Sequence, residues 1–257
     1  MESSSRHYLP TRNFNDHKYS HRKVAIIAGS DEYPGAAVLC VGGARRGGSG
    51  YINYVALSTR ATDLVLNVYP DIVPINKARE FEGDAFVIGS GAPKLPRGFT
   101  FPNSRYLVLD SDAMALASNS DTAFTVITPH EGEAAKLGFP INSGDRRATA
   151  LALAKHFHVI TVLKGFKTLI ASPDGTVLID KYGGPELATA GTGDVLSGLL
   201  GSMLACWKPN NLKETQEVVA KAVAIHGLAG KYASKTKAPI TATDLLEALP
   251  FVIKSMP

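Results

Sequence analysis

The chain is punctuated by short, uninterrupted apolar runs, most of them followed by a stretch with helical spacing. Val24-Ala25-Ile26-Ile27-Ala28 ends at Gly29-Ser30, and Ala85 to Ile88, Tyr106 to Leu109, Phe124 to Ile127 and Val159 to Leu163 repeat the pattern. A strand with one face in water alternates apolar and polar residues, so continuous runs of this length predict strands buried on both faces. Helices are predicted between them. Pro34 opens one that runs to about Ala44, since proline suits a first helical turn, where its missing N–H costs nothing. Others are expected over Asp112 to Ala117, Glu131 to Leu137 and Arg146 to His156. Strands alternating with helices build βαβ units, which predicts an α/β fold of three αβα layers, a mostly parallel central sheet with helices on both faces.

The third quarter changes character. Thr168-Leu169-Ile170-Ala171 and Thr176-Val177-Leu178-Ile179 flank Ser172-Pro173-Asp174-Gly175, whose residues suit a tight turn, and this predicts a late β-hairpin. Beyond it, Leu196, Leu199, Leu200, Met203 and Leu204 form one apolar stripe of a helix beginning near Gly193. Val219, Ala222, Val223 and His226 mark a second helix, closed near Gly230, and Thr243-Asp244 reads as the start of a third.

A chain of 257 residues, 45% of them hydrophobic, can bury a sizeable core, and no repeat or linker interrupts it. A single domain is expected over 23–257, preceded by a basic arm at 1–22. Arg6, Arg12, Lys18, Arg22 and Lys23 against Glu2 and Asp16 account for most of the net charge of +4. The body is therefore nearly neutral, without the clustered basic surface that nucleic-acid binding needs. No apolar run approaches the ~20 residues of a membrane span. The opening Met-Glu-Ser-Ser-Ser-Arg has no apolar stretch of a secretory signal, so a cytoplasmic location is expected. Cys40 and Cys206, the two cysteines, read as buried free thiols rather than a disulfide or metal pair.

The segment richest in chemistry is Ala188-Thr189-Ala190-Gly191-Thr192-Gly193-Asp194-Val195-Leu196-Ser197-Gly198. Two glycines around a threonine, directly before a helix, place free backbone N–H groups at the positive end of the helix dipole, where an anion binds. Asp194 in the first turn could accept the proton of a hydroxyl attacking a phosphoryl group there. Taken alone it is equally a helix-start aspartate. Other phosphate loops are missing: there is no GxxxxGK[ST], and Gly47-Gly48-Ser49-Gly50 does not fit GxGxxG. Gly35-Ala36-Ala37 at a helix start would let a ligand approach the backbone, or serve close packing. Gly91 lies just past a strand's carboxyl end, where open α/β sheets place ligands, or is an ordinary turn glycine. His130 at a helix start could bond a substrate or act as a cap. Lys164-Gly165 ends a strand and could meet phosphates, Thr168 could contact a nucleotide, and Lys167 is as easily a solvated charge.

Gly191-Thr192-Gly193-Asp194 resembles the anion-hole and catalytic-base motif of ribokinase-like kinases. Within that superfamily the sequence resembles the NAD(P)H-hydrate dehydratase family from about residue 12 to 250. The likeness is carried by Tyr33-Pro34-Gly35-Ala36-Ala37, Gly48-Ser49-Gly50-Tyr51, Ile88-Gly89-Ser90-Gly91 and Leu109-Asp110-Ser111-Asp112-Ala113. It continues in Thr128-Pro129-His130-Glu131-Gly132-Glu133, Val162-Leu163-Lys164-Gly165-Phe166-Lys167-Thr168 and His226-Gly227-Leu228-Ala229-Gly230. The resemblance implies a ribokinase-like fold and the ADP- or ATP-dependent dehydration of hydrated NADH and NADPH. It implies Asp194 as base, with Gly191, Thr192 and Gly193 amides stabilising the moving phosphoryl group. Ala37, Gly91, His130 and Asp194 would meet the hydrated nucleotide, and Lys164, Gly165, Phe166, Lys167, Thr168 and Gly193 the phosphoryl donor.

Mg²⁺ is implied without nameable ligands, Asp110 and Asp112 being outer-shell choices. A homo-oligomer, in the family's manner a tetramer, and functional partnership with a separate epimerase are also implied. The sequence departs from the family pattern at Gly184 and Ala115, where Asn is usual, at Tyr19 after His17-Lys18, and at Glu131, where Pro is common. Two alternatives stand beside this reading: a small-molecule kinase of the same superfamily acting on a vitamin precursor, and a non-catalytic nucleotide-binding regulator.

Overall fold

A computed structural model describes residues 9–10, 14–18, 22–89, 91–92, 95, 99–141 and 144–255. Most of the expected basic arm, together with Tyr19 and Ser90, lies outside the described residues. The apolar runs form strands as predicted: β1 (Lys23–Ile27), β4 (Ala85–Ile88), β5 (Tyr106–Leu109), β6 (Phe124–Ile127) and β7 (Ile160–Leu163). With β2 (Tyr51–Val55), β3 (Val73–Ile75), β8 (Leu169–Ala171) and β9 (Val177–Ile179) they make one nine-stranded sheet in the order β3-β2-β1-β4-β5-β6-β7-β8-β9. All pairings through β7 are parallel, and the late hairpin adds β8 and β9 antiparallel.

Side chains alternate across each strand, so one strand feeds two cores. Val24, Ile26, Tyr106 and Val108 point into a core shared with α1 (Pro34–Ala44), α2 (Thr59–Val68), α5 (Thr192–Trp207), α6 (Leu212–Ala233) and α7 (Ala242–Ser255). Ala25, Ile27, Leu107 and Leu109 point into a second core covered by α3 (Glu131–Lys136) and α4 (Arg146–Phe157). Three layers result, as the buried-strand pattern predicts. Cys40 and Cys206 are both buried, as expected. No described helix is long and apolar enough to cross a membrane.

The structure corrects several sequence expectations. The helical stretch expected over Asp112 to Ala117 is a 3-10 helix, Ser111–Asn119. Helix α6 passes through Gly230 and runs to Ala233. There Leu187 packs on Gly230's missing side chain, so this glycine serves contact and not termination. Helix α2 and strand β3 were not anticipated; β3 is a three-residue edge strand containing Pro74, too short to register as a run. Helix α5 shows no single stripe, because Asp194, Ser197, Gly198, Gly201 and Ser202 are buried along with the leucines. It is sandwiched between the sheet, α1 and α6.

Glycines permit that sandwich. A Cβ on Gly198 would lie 1.8 Å from the Cys40 carbonyl oxygen, and one on Gly43 would lie 2.1 Å from that of Val195. Backbone meets backbone here, so neither contact can yield by a rotamer change. Gly198→Ala is expected to destabilise the fold by about 3 kcal/mol, since overpacking cannot be relieved without moving a helix. Gly35→Ala, where nothing lies within 4 Å of the added methyl, should stay within about 0.5 kcal/mol. Urea midpoints of the two variants measure the difference.

Candidate active site

The strand order reverses between β1 and β4, where one crossover runs toward β2 and later ones toward β5. Ligands of open α/β sheets bind outside the carboxyl ends of strands at such a switch point. Here two left-handed glycines face each other: Gly29 has φ +69 and Gly91 has φ +66. A Cβ on Gly91 would meet Tyr33 Cβ at 2.9 Å and Gly29 Cα at 3.4 Å, so the β1–α1 turn and the turn after β4 come together. Ala37 is fully buried, its methyl against Gly29, whereas Tyr33 and Gly35 form the exposed edge of that turn. No part of Ala37, backbone or side chain, reaches the surface.

The Gly191–Asp194 loop begins α5. Gly191, at φ +91, occupies the left-handed position that precedes the helix, and a side chain there would strike Leu39 and Ala242. Thr192 Oγ1 donates to the carbonyls of Leu187 at 2.9 Å and Thr189 at 3.0 Å, which closes the loop on itself. No side chain caps the helix. A helix N-terminus without a side-chain cap presents the positive end of its dipole, which favours an anion. Asp194 sits in the first turn and is 8% exposed.

A charged network underlies this loop. Asp110, wholly buried at the end of β5, accepts from Thr128 Oγ1 at 2.7 Å, Lys164 Nζ at 3.0 Å and Ser197 Oγ at 3.0 Å. Lys164 Nζ also lies 3.7 Å from Glu133 Oε2 and would be 3.3 Å from a Cβ on Gly193. The ammonium is thus held directly beneath the anion loop. Burial by itself would lower the Lys164 pKa, but Asp110, Glu133 and, farther away, Asp194 outweigh it and keep the group above the usual lysine range. Burial pushes the Cys40 thiol up, and the nearby charges of Asp194 and Asp110 add to this.

His130 caps α3: its Nδ1 accepts from the Gly132 and Glu133 amides at 3.0 and 3.3 Å, while Glu133 Oε2 accepts from the His130 amide at 2.8 Å. The ring is exposed, and Glu133 links it to Lys164. After β7, Gly165 (φ +136), exposed Phe166 and Lys167 (φ +53) form a bulging loop that Thr168 Oγ1 closes by donating to the Gly165 carbonyl at 3.1 Å. Lys164, Gly193, Asp194 and His130 therefore share one neighbourhood, with the 165–168 loop beside it and Gly91 at the switch point. Among the departures, Gly184 caps a short 3-10 turn leading to the loop, and Ala115 is exposed on the 3-10 helix after β5.

Among the described residues, no group of His, Cys, Asp or Glu is arranged to hold a metal. Of the two outer-shell choices, Asp110 is buried and accepts from Thr128, Lys164 and Ser197, and Asp112 is exposed on the 3-10 helix that follows.

A sequence model of the NAD(P)H-hydrate dehydratase family matches residues 24–251. The chain belongs to this family. It is 36% identical over 268 residues to the bifunctional NAD(P)H-hydrate repair enzyme Nnr of Gloeobacter violaceus, covering 94% of this chain and 51% of that protein. The chain thus spans about half the length of the bifunctional relatives it matches. It is also 30% identical to the ADP-dependent (S)-NAD(P)H-hydrate dehydratase of Bacillus subtilis, over 88% of this chain and 86% of that one. A crystal structure of the Bacillus subtilis ADP/ATP-dependent enzyme, co-crystallised with ATP/Mg²⁺, superposes with a TM-score of 0.85 at 29% identity, covering 97% and 95% of the two chains. A ribokinase-like superfamily protein from Enterococcus faecalis aligns with a TM-score of 0.81 at 25% identity, covering 96% and 92%. The ribokinase-like fold expected from the glycine–aspartate motif is thereby established.

Two residues bearing on this family's site carried no site role in the sequence reading. Arg146 reaches the 163–167 loop from α4. His226, 6% exposed in α6, has its Nε2 2.8 Å from the Thr192 carbonyl oxygen. A polar ring on an otherwise apolar helical face was the one available signal. A carbonyl only accepts, so the neutral ring holds its proton on Nε2 and donates. Burial drives the His226 pKa down to about 4; the Thr192 hydrogen bond opposes this and the Lys164 charge adds to it. Between about pH 6.5 and 4 the unfolded chain binds a proton there that the folded chain refuses, so stability falls as pH falls. The loss from this group is on the order of 3 kcal/mol by pH 4. His226→Gln, which keeps a donor but cannot titrate, should flatten that part of the stability–pH curve in denaturant titrations.

Proposed function

We propose that this protein restores NADH and NADPH from their hydrated forms, using ADP or ATP as phosphoryl donor. The observation that carries the reading is the uncapped α5 start, with Asp194 in its first turn and the Lys164 ammonium beneath Gly193. That arrangement suits a phosphoryl group in flight: amides and an ammonium meet its charge, and a carboxylate waits beside the incoming hydroxyl. Membership of the NAD(P)H-hydrate dehydratase family supplies the substrate class.

In this reading Asp194 takes the proton of the ring hydroxyl at C6 as its oxygen attacks the terminal phosphorus of the donor. The donor leaves as AMP from ADP, or ADP from ATP. Hydroxide is a poor leaving group and phosphate a good one. Breakage of the C6–O bond, with loss of a proton from the adjacent carbon, then releases phosphate and restores the ring double bond. Gly191, Thr192 and Gly193 stabilise the transferring group. Gly91 and the exposed ring of His130 face the hydrated nucleotide, with Ala37 packed behind the turn that lines it. Lys164, Gly165, Phe166, Lys167 and Thr168 serve the donor. Mg²⁺, when bound, would neutralise charge on the donor's phosphates. A homo-oligomer of four chains, cytoplasmic location and partnership with a separate hydrate epimerase complete the proposal.

Incubation with hydrated NADH and ADP or ATP should regenerate the absorbance of the dihydronicotinamide. Asp194→Asn is expected to lower kcat by at least about a thousandfold while ADP and ATP still bind, because the variant lacks only the proton acceptor. A stable phosphorylated alcohol, with no regenerated absorbance, would instead identify a small-molecule kinase. Unchanged function in Asp194→Asn would identify a nucleotide-binding regulator.

A further inference from the structure

One guanidinium organises the loop assigned above to the donor. Arg146, the first residue of α4, donates through Nη2 to the carbonyls of Leu163 at 3.4 Å and Lys164 at 3.0 Å. Through Nη1 it donates to Phe166 in a short contact and to Lys167 at 3.4 Å. Its Nε lies 2.8 Å from Glu131 Oε1, so the fork is oriented from behind by a carboxylate on α3. The loop has no room for a side chain where it wraps the fork: a Cβ on Gly165 would lie 2.7 Å from Arg146 Nη2.

This convergence determines what the other side of the loop displays. In a trans peptide the carbonyl and the N–H of the next residue point in opposite directions. With the carbonyls of Lys164, Phe166 and Lys167 turned onto the guanidinium, the amides of Gly165, Lys167 and Thr168 are directed away from it. A row of backbone amides on a loop of mixed handedness is a phosphate-binding surface. Without a cation at its centre the carbonyl side would be self-repelling, and the left-handed conformations at Gly165 and Lys167 would have little to hold them.

We propose that Arg146 is a positioning residue for the phosphoryl donor: it gathers the carbonyls of the 163–167 loop so that the amides on the opposite side are preorganised for the phosphates of ADP or ATP. The role rests on the assignment of that loop to the donor. Glu131, at the place where relatives commonly carry proline, acts through Arg146 as its counter-charge. Lysine cannot substitute fully, since a single ammonium does not span carbonyls that a planar fork bridges.

Two measurements on Arg146→Leu separate the clamp from the assignment. Hydrogen exchange of the Lys164 amide, which donates to the Pro129 carbonyl at 2.8 Å, should accelerate about tenfold or more, with the amides inside the sheet unchanged. Titration calorimetry should show ADP and ATP binding weakened about tenfold, and the donor KM should rise in parallel while the KM for hydrated NADH moves less than about twofold. Arg146→Lys should fall between parent and leucine variant in both, and it serves alone if Arg146→Leu does not fold. Unchanged exchange in a folded variant overturns the clamp. Faster exchange with unchanged ADP and ATP affinity overturns the donor role, as does an equal loss of donor and hydrate affinity. A parent that binds neither ADP nor ATP removes the assignment of the loop, and exchange then still decides what Arg146 does.

Discussion

The buried carboxylate of Asp110 is the constraint on which the site depends. A carboxylate removed from water is tolerated only where donors replace its solvent, and each donor must then be delivered to within hydrogen-bonding distance. The donors come from three other elements: Thr128 from the end of β6, Lys164 from the end of β7 and Ser197 from the second turn of α5. Satisfying one charge thereby sets the height of two strand ends and of the catalytic helix relative to β5. Lys164, once committed to Asp110, has its ammonium beneath Gly193, and the positive field at that loop is a consequence of the pairing.

The rest of the site is arranged around this anchor by close backbone packing. Gly43 and Gly198 let α1 and α5 touch without side chains between them, which brings the β1–α1 turn, at the switch point, toward the Gly191–Asp194 loop. His226 holds the Thr192 carbonyl from below, so the loop is braced by a hydrogen bond inside α6's packing surface. Arg146 plays a parallel part on the neighbouring loop. In both cases a donor satisfies carbonyls on the protein side, which leaves N–H groups for the ligand side.

The buried strands were legible because strands covered on both faces need consecutive apolar residues; Ala85–Ile88, Tyr106–Leu109 and Phe124–Ile127 were bounded correctly. Helix starts with local signals, Pro34 and Arg146 after Asp145, were legible too. What escaped had no local signature: β3 takes its strand state from pairing with β2 at the sheet edge, and the 3-10 geometry of Ser111–Asn119 is not distinguished from an α-helix by apolar spacing. Of the site, the glycine–aspartate loop was visible as a motif. Asp110 was visible only as an acidic strand end, because its donors Thr128, Lys164 and Ser197 are remote in the chain.

By itself the sequence determined the layers, the parallel sheet with its late hairpin, and a phosphate-ready helix start with an acid in its first turn. These follow from patterns of a few neighbouring residues: apolar period, turn chemistry and the orphan amides of a helix N-terminus. Only the tertiary structure decided which charges answer one another. Asp110 and Lys164 lie 54 positions apart, Ser197 is 87 positions from Asp110, and His226 is 34 from Thr192. Ion pairs and hydrogen bonds act over a few ångströms of space and carry no period along the chain, so their partners exist only once the sheet has brought its strand ends together.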